Sequence, residues 1–324
     1  MNFQTSLFAN PESTADTFTP AFIKAARQIA CALGCGRHLK RNDINEFFQT
    51  ATGGSDAAHS WSIADSNHAI ELGALLWLRE HSRIGSNSPL AEVEARLEWL
   101  NSALPPRHVR SEEQNTLQQF STPPILGWLM AKAAQLSKAD LVLEPSAGTG
   151  MLALWPAIHR ISVLLNEIDP ARRLVLRELF PDAAISAHDG ELIDDLLPAA
   201  PRPTVVLINP PFAQSAERGK DAKTAMRHLR AAFRRASPTA RIVAIMPESF
   251  KAKDFVRGDD PAGLHLDLVI EGAFRQVGTG VSVRLVVIDK GSNREPADTQ
   301  LAASLGALYD SIAALPDRYL EQSL

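Results

Sequence analysis

From residue 141 onward the chain alternates between two periodicities. Short apolar runs recur at Leu141–Leu143, Ile161–Leu165, Ala183–Ala187, Val205–Ile208 and Ile242–Met246, each closed within two residues by a proline or an acid. Such runs are what parallel strands covered on both faces require. Between them lie stretches with apolar residues at helical spacing. Examples are Met151–Trp155 and Lys223–Arg235, where Ala225, Met226, Leu229 and Phe233 face inward. This alternation predicts an α/β domain with a mostly parallel sheet. Two last runs, Leu266–Glu271 and Val281–Asp289, are predicted as antiparallel hairpin strands that complete it.

Ahead of the sheet, residues 20–104 carry helical spacing throughout. The spacing predicts helices over Ala21–Leu33, closed by Gly34 and Gly36, over Asn42–Thr50 with Asn42 as candidate cap, and over Ile63–Arg79. Ser88 and Pro89 open another, with Leu90, Val93, Leu97 and Leu100 on one face. Residues 1–19 are polar and irregular, and Pro105-Pro106 marks a break before a linker. Thr122 is the expected cap of a helix over Ile125–Leu136, and Leu301–Leu315 is expected as one amphipathic tail helix. The expected organisation is a flexible N-terminus (1–19), an all-helical N-terminal region (20–110), an α/β domain (111–291) and a helical tail (292–324).

Composition changes this picture little. A chain of 324 residues has room for one large domain and a smaller one, and a net charge of −4 argues neither for nor against nucleic acid. No leader or apolar run of membrane-spanning length is present, so a cytoplasmic protein without a membrane partner is expected. Cys31 and Cys35 are the only cysteines and lack CxxC spacing; reduced thiols and no metal site are expected. His59, His68 and His81 show no ligand spacing and read as surface or capping residues.

The strand ends carry the candidate chemistry. Gly148 and Gly150 permit positive φ and close approach of a ligand to the backbone. Their spacing is not the dinucleotide fingerprint, since one residue separates them and no earlier glycine precedes them. Glu167 lies roughly 20 residues beyond this loop, where an acid accepts from ribose hydroxyls. Asp169 is the expected cap of the following helix, and Asp189 is placed to accept from an adenine amine. Asn209, Pro210, Pro211 and Phe212 close the fourth run. An aromatic amine is a poor nucleophile because its lone pair is delocalised. Acceptance of both N–H bonds, by the Asn209 side-chain carbonyl and the Pro210 backbone carbonyl, draws the nitrogen toward tetrahedral geometry. The prolines stiffen the loop, and Phe212 can stack on an extruded base.

Gln119–Pro124, Glu144–Gly150, Asn209–Phe212 and Val281–Lys290, in that order, resemble a class I S-adenosylmethionine-dependent amino-methyltransferase of the N6-adenine DNA methylase type. Over residues 105–291 the chain is most similar to the strawberry notch-like N-terminal methyltransferase domain of plasmid- and phage-borne proteins. The resemblance implies a Rossmann-like sheet ending in an antiparallel hairpin strand, S-adenosyl-L-methionine as cofactor, and DNA as substrate. In fused members a helicase follows, which makes a helicase domain or partner a further expectation. It implies cofactor contacts from Phe120, Thr122, Pro123, Glu144, Gly148, Gly150, Glu167 and Asp189, with Pro145, Ser146, Ala147, Asn166, Ile168, Gly190 and Asn209 beside them. It implies catalysis by Asn209, Pro210, Pro211 and Phe212.

The alternatives are a guanine amine in RNA, a glutamine amide in a protein, or a non-catalytic module that recruits a helicase. Glu217–Arg241 holds eight basic residues against two acids and directly follows the Asn209 loop, where a phosphate backbone would lie to deliver a base. Arg218 and Lys220 are the favoured phosphate contacts, with Lys223, and Lys251 and Lys253 from a later loop; a solvated helix face is the plainer reading. Thr279, between Gly278 and Gly280, is placed either at the base pocket or in a tight hairpin turn.

Overall fold

The strand-end loops are held by a sheet whose central members are buried on both faces. The computed structural model describes residues 19–55, 58–105, 122–212, 214–215, 219–221, 223–257, 262–272 and 282–318. Strands β1 (Leu141–Glu144), β2 (Ser162–Asn166), β3 (Ala184–Ser186) and β4 (Val205–Ile208) run parallel. A two-stranded antiparallel ribbon, β5 (Gln214–Ser215) and β6 (Gly219–Lys220), follows as a separate element. The main sheet continues with β7 (Arg241–Pro247), β8 (Ala262–Ile270), β9 (Val283–Lys290) and β10 (Gln300–Leu301), in the order β10-β8-β9-β7-β4-β1-β2-β3. β7 is parallel to β4, and β9 is antiparallel to both β7 and β8.

Alternation along the strands gives the sheet two apolar faces. Val205 and Leu207 enter one core, Val206 and Ile208 the other, and all four side chains are fully buried. One face is covered by α1 (Ala21–Gly34), α2 (Arg41–Thr52), α3 (Ile63–Glu80), α4 (Leu90–Ala103), α5 (Pro124–Ala134), α6 (Met151–Ile158) and α7 (Pro170–Leu179). The other carries the short α8 (Ile193–Leu196), α9 (Thr224–Arg235) and α10 (Ala252–Val256), while α11 (Leu305–Ala313) returns to the first face. The N-terminal helices therefore share a core with the sheet. Their attachment is also polar: Arg27 forms a two-pronged pair with Glu178 at 2.7 and 2.8 Å, and Trp128 Nε1 donates to the Gly85 carbonyl at 2.9 Å. The expected boundary near residue 110 lies outside the described residues.

Several local expectations are corrected. The cap of α2 is not Asn42; the Asp43 carboxylate accepts from the Lys40 amide at 2.7 Å, one residue before the helix. Thr122 does not cap α5, whose N-cap is Pro123 and has no side-chain cap bond. The segment holding Lys251 and Lys253, read as a loop, contains α10. The tail is not one helix from Leu301, because Gln300–Leu301 pairs with β8 first. Among the described residues no helix is long and apolar enough to cross a membrane, and no His, Cys, Asp and Glu group could hold a metal ion.

Much of the basic run serves the fold. Arg227 pairs with Glu191 and with Asp221, and Arg235 donates to the carbonyls of Pro198 and Pro201. Arg241 is fully buried at the start of β7, where it grips Asp289 of β9 at 2.7 and 2.8 Å and donates to the Ala133 and Pro316 carbonyls. Burial alone would raise the Asp289 carboxyl, but Arg241 and His265 bring it down to about 2. A depressed carboxyl stabilises the fold above its ordinary value and loses that contribution as pH falls. Asp289→Asn, leaving Arg241 buried without its counter-charge, is expected to cost about 3 kcal/mol. It should also flatten the wild-type loss of stability between pH 3.8 and about 2, measured by denaturant titration across that range.

Candidate active site at the carboxyl ends of the central strands

The chain passes from β1 to β2 to β3 on one side, then returns to place β4 on the other side of β1. A crevice opens at such a reversal, outside the carboxyl ends of the strands. The four loops at that end are 145–150, 167–169, 187–189 and 209–212, which are the segments the sequence marks.

The β1 loop is positioned by buried carboxylates. Glu144, the last residue of β1, accepts from the Ala153 amide at 2.8 Å and so fills donors left open in the first turn of α6. An anion there also suits the positive end of the helix. Burial nonetheless pushes the Glu144 carboxyl well up, a rise that the nearby Glu167 charge reinforces and the Ala153 and Leu152 amides oppose. Glu167 accepts from the Gly148 amide at 2.6 Å and from the Asp169 amide at 2.9 Å. Its carboxyl is likewise raised by burial, against the pull of Arg172 and those two amides. Both acids are thus set at the loop's underside with further acceptor positions on their oxygens.

Asn166 has a different part. Its Nδ2 donates to the carbonyls of Pro145 and His188, while its Oδ1 accepts from the Ser186 hydroxyl and the His188 amide. Those four bonds are the full capacity of a side-chain amide, so Asn166 ties the β1, β2 and β3 loops together and keeps no group for a ligand. Ile168, two residues on, is 44% exposed. Asp169 caps α7 as expected, its Oδ1 accepting from the Arg172 amide at 3.0 Å. Asp189 Oδ1 accepts from the Glu191 amide at 2.9 Å, holding the turn that begins at Gly190.

At the end of β4, Asn209 Nδ2 donates to Thr122 Oγ1 at 2.9 Å. Thr122 is 7% exposed, and the bond holds the Asn209 side chain against the start of α5. Thr122 and Pro123 therefore meet the Asn209 loop at the start of α5. Pro210 is buried, whereas Pro211 and Phe212 are half-buried, and Phe212 packs against both cores. Phe120, Arg218 and Thr279 lie outside the described residues, and for Lys220 the description covers its backbone in β6. Lys223 and Lys251 are exposed, whereas Lys253 pairs with Asp298 at 2.6 Å.

Two groups at this site escape a motif reading. His228 on α9 is buried with Nδ1 3.0 Å from Ser146 Oγ. Burial holds its imidazole at about 4 despite the opposing pull of Asp189 and Glu191, so it is neutral near pH 7. The signal was present, since helical spacing puts His228 on the inward face with Ala225 and Leu229. Thr149, between the two glycines, donates from its hydroxyl to Glu71 Oε1 on α3 at 2.8 Å. No local pattern announces a bond between residues so far apart in sequence.

Gly148 and Gly150 are needed for different reasons. Both have positive φ, 54° and 90°. A Cβ on Gly150 would lie 2.4 Å from Phe180 Cε2, inside packed protein, whereas at Gly148 the nearest atom is Arg172 Nη1 at 3.9 Å. Gly148→Ala should cost about 1 kcal/mol of stability, a backbone cost alone. Gly150→Ala should cost about 3 kcal/mol, adding overpacking to the backbone cost. Urea titration of the two variants checks the order; equal losses would contradict it.

No protein-family model matches the chain, and neither does any curated protein. Solved structures do. A putative class I S-adenosylmethionine-dependent methyltransferase from Listeria monocytogenes is 14% identical, with 91% of this chain and 97% of that one covered, at a TM-score of 0.49. A modification subunit of a putative type I restriction enzyme from Vibrio vulnificus is 16% identical over 67% of this chain, at 0.48, and the chain spans 53% of that subunit. The M protein of the type I restriction enzyme EcoKI is 16% identical, with 85% and 68% covered, at 0.45. The sheet itself has the expected form, mostly parallel and Rossmann-like with antiparallel strands at its C-terminal end.

Proposed function

We propose that the chain is an S-adenosylmethionine-dependent N-methyltransferase acting on the exocyclic N6 amine of adenine in DNA. The observation that carries this reading is the Asn209–Thr122 hydrogen bond at the reversal between β1 and β4. With Nδ2 turned toward Thr122, Oδ1 is the atom that accepts from an incoming amine.

The site suits the cofactor on its own chemistry. At Gly148 the space a Cβ would take is clear to 3.9 Å, as close approach of a ligand requires. Glu167 lies under that loop as an acceptor for ribose hydroxyls, and Ile168 supplies an apolar face for a purine. Two buried carboxyls raised above their ordinary range favour a cationic ligand. When bound, the cofactor supplies an electrophilic methyl group on a positively charged sulfur.

The chain's own residues then act on the amine. Asn209 Oδ1 accepts one N–H and the Pro210 carbonyl the other, concentrating the lone pair on nitrogen and aiming it along the line of attack. Pro210 and Pro211 bring no backbone N–H to compete for those acceptors. Phe212 stacks on the extruded base. After transfer the surplus proton leaves to solvent. Lys223 and Lys251 are exposed cations for the phosphate backbone, with Arg218, Lys220 and Thr279 as further contacts. The motif resemblance over residues 105–291 supports a helicase as the partner that opens the duplex.

The test is transfer of labelled methyl to duplex DNA, single-stranded DNA and RNA, with modified nucleosides identified by mass. N6-methyladenine in DNA is expected, abolished in Asn209→Ala. Cofactor binding without transfer to any nucleic acid would sink the DNA reading and direct the search to a protein amide. Thr122→Val, which removes the bond to Asn209 and keeps the shape, should lower kcat about tenfold.

A further inference from the structure

We propose that α3, in the helical N-terminal region, completes the cofactor pocket, with Asn67 and Glu71 recognising the α-ammonium group at the amino-acid end of the cofactor. The inference rests on the cofactor reading above and extends it to a region that none of the sequence motifs includes.

The strand order sets the direction of the ligand. Asp189 stands at the end of β3, Glu167 beyond β2, the glycine loop at β1 and Asn209 at β4. With the adenosyl group over Asp189 and Glu167 and the methyl group facing Asn209, the third substituent on sulfur must leave across the glycine loop. That loop's middle residue, Thr149, is 5% exposed and is bonded at 2.8 Å to Glu71, itself 8% exposed on α3. Helix α3 thus reaches the loop that the amino-acid chain would cross.

Asn67 lies one helical turn before Glu71, on the same face. It is 9% exposed, and its Oδ1 has no hydrogen-bond partner among the described residues. A buried acceptor left unmet is uncommon and calls for a donor from outside the chain. The chemistry of the pair selects that donor. The unmet atom of Asn67 is an acceptor and the Glu71 carboxylate supplies acceptors beside it, so the pair matches an ammonium with its three N–H bonds.

The experiment is calorimetric titration of the full chain with three probes: S-adenosylmethionine, S-adenosylhomocysteine, and methylthioadenosine, which lacks the amino-acid end. Asn67→Leu and Glu71→Gln are the variants, the second keeping an acceptor for Thr149, and thermal melting monitors the fold. Each variant should weaken the first two probes about tenfold or more and leave methylthioadenosine unchanged. Equal weakening of all three, or of none, would overturn the role given to α3 while leaving the cofactor reading intact. Should Glu71→Gln fail to fold, Asn67→Leu alone decides by the same criterion. A folded wild-type chain that binds none of the probes overturns the cofactor reading, and this inference with it.

Discussion

Asn166 sits where three parallel strands end, and its amide is divided among them, with donors to Pro145 and His188 and acceptance from Ser186 and His188. Each bond runs from the strand that carries Asn166 to the β1 loop, the β3 loop or the end of β3 itself, and none is part of the backbone ladder. Buried polar groups tolerate little misplacement, because an unmet donor or acceptor in a dry interior costs more than the bond contributes. The relative positions of Pro145, Glu167 and His188 are therefore fixed by satisfaction of one side chain. The glycine loop inherits that precision: the Ala147 amide donates to the Asn166 carbonyl at 2.9 Å, and the Gly148 amide to Glu167. The glycine loop is thus tied by hydrogen bonds to both Asn166 and Glu167.

That arrangement has an electrostatic cost. Burial raises both the Glu144 and the Glu167 carboxyls, and Glu144 is raised further by the charge of Glu167. A carboxyl raised in the fold opposes folding as pH rises through its pKa, since the chain must then hold a charge that water would solvate better. Helix α6, the loop amides and Arg172 offset part of that cost. A cation placed over the loop would offset more.

The sheet was legible because continuous apolar runs and their terminators are local, and buried parallel strands tolerate little else. β1, β2, β4 and β7 fall within a residue or two of the runs that mark them, and the antiparallel ending follows from the last two. The errors have local competitors. Asn42 and Asp43 are adjacent and both suited to capping, and only geometry shows that Asp43 makes the bond. Thr122 looks like a cap, but its hydroxyl accepts from Asn209 instead. The basic run misleads for another reason. Composition cannot tell a solvated guanidinium from one that, like Arg241, is buried against Asp289 and two carbonyls. Charge counts describe surfaces only when the charges lie on one.

The least legible feature is the helical region's share in the site. Its helices were readable one by one from their own periodicity, and each could be given a solvent face and a core face. Nothing in that pattern says which apolar faces meet the sheet. The contacts that settle it are Arg27 with Glu178, Trp128 with Gly85 and Thr149 with Glu71, all distant in sequence and two of them polar side-chain pairs. A buried Ser66, Asn67 and Glu71 on an otherwise apolar stretch of α3 is a poor core by hydrophobic criteria. Burying such groups is unfavourable unless they are paired; Glu71 is paired with Thr149, whereas Asn67 Oδ1 has no hydrogen-bond partner among the described residues. Their presence where α3 meets the glycine loop therefore fits a helix that shapes the site better than one that merely shields the sheet.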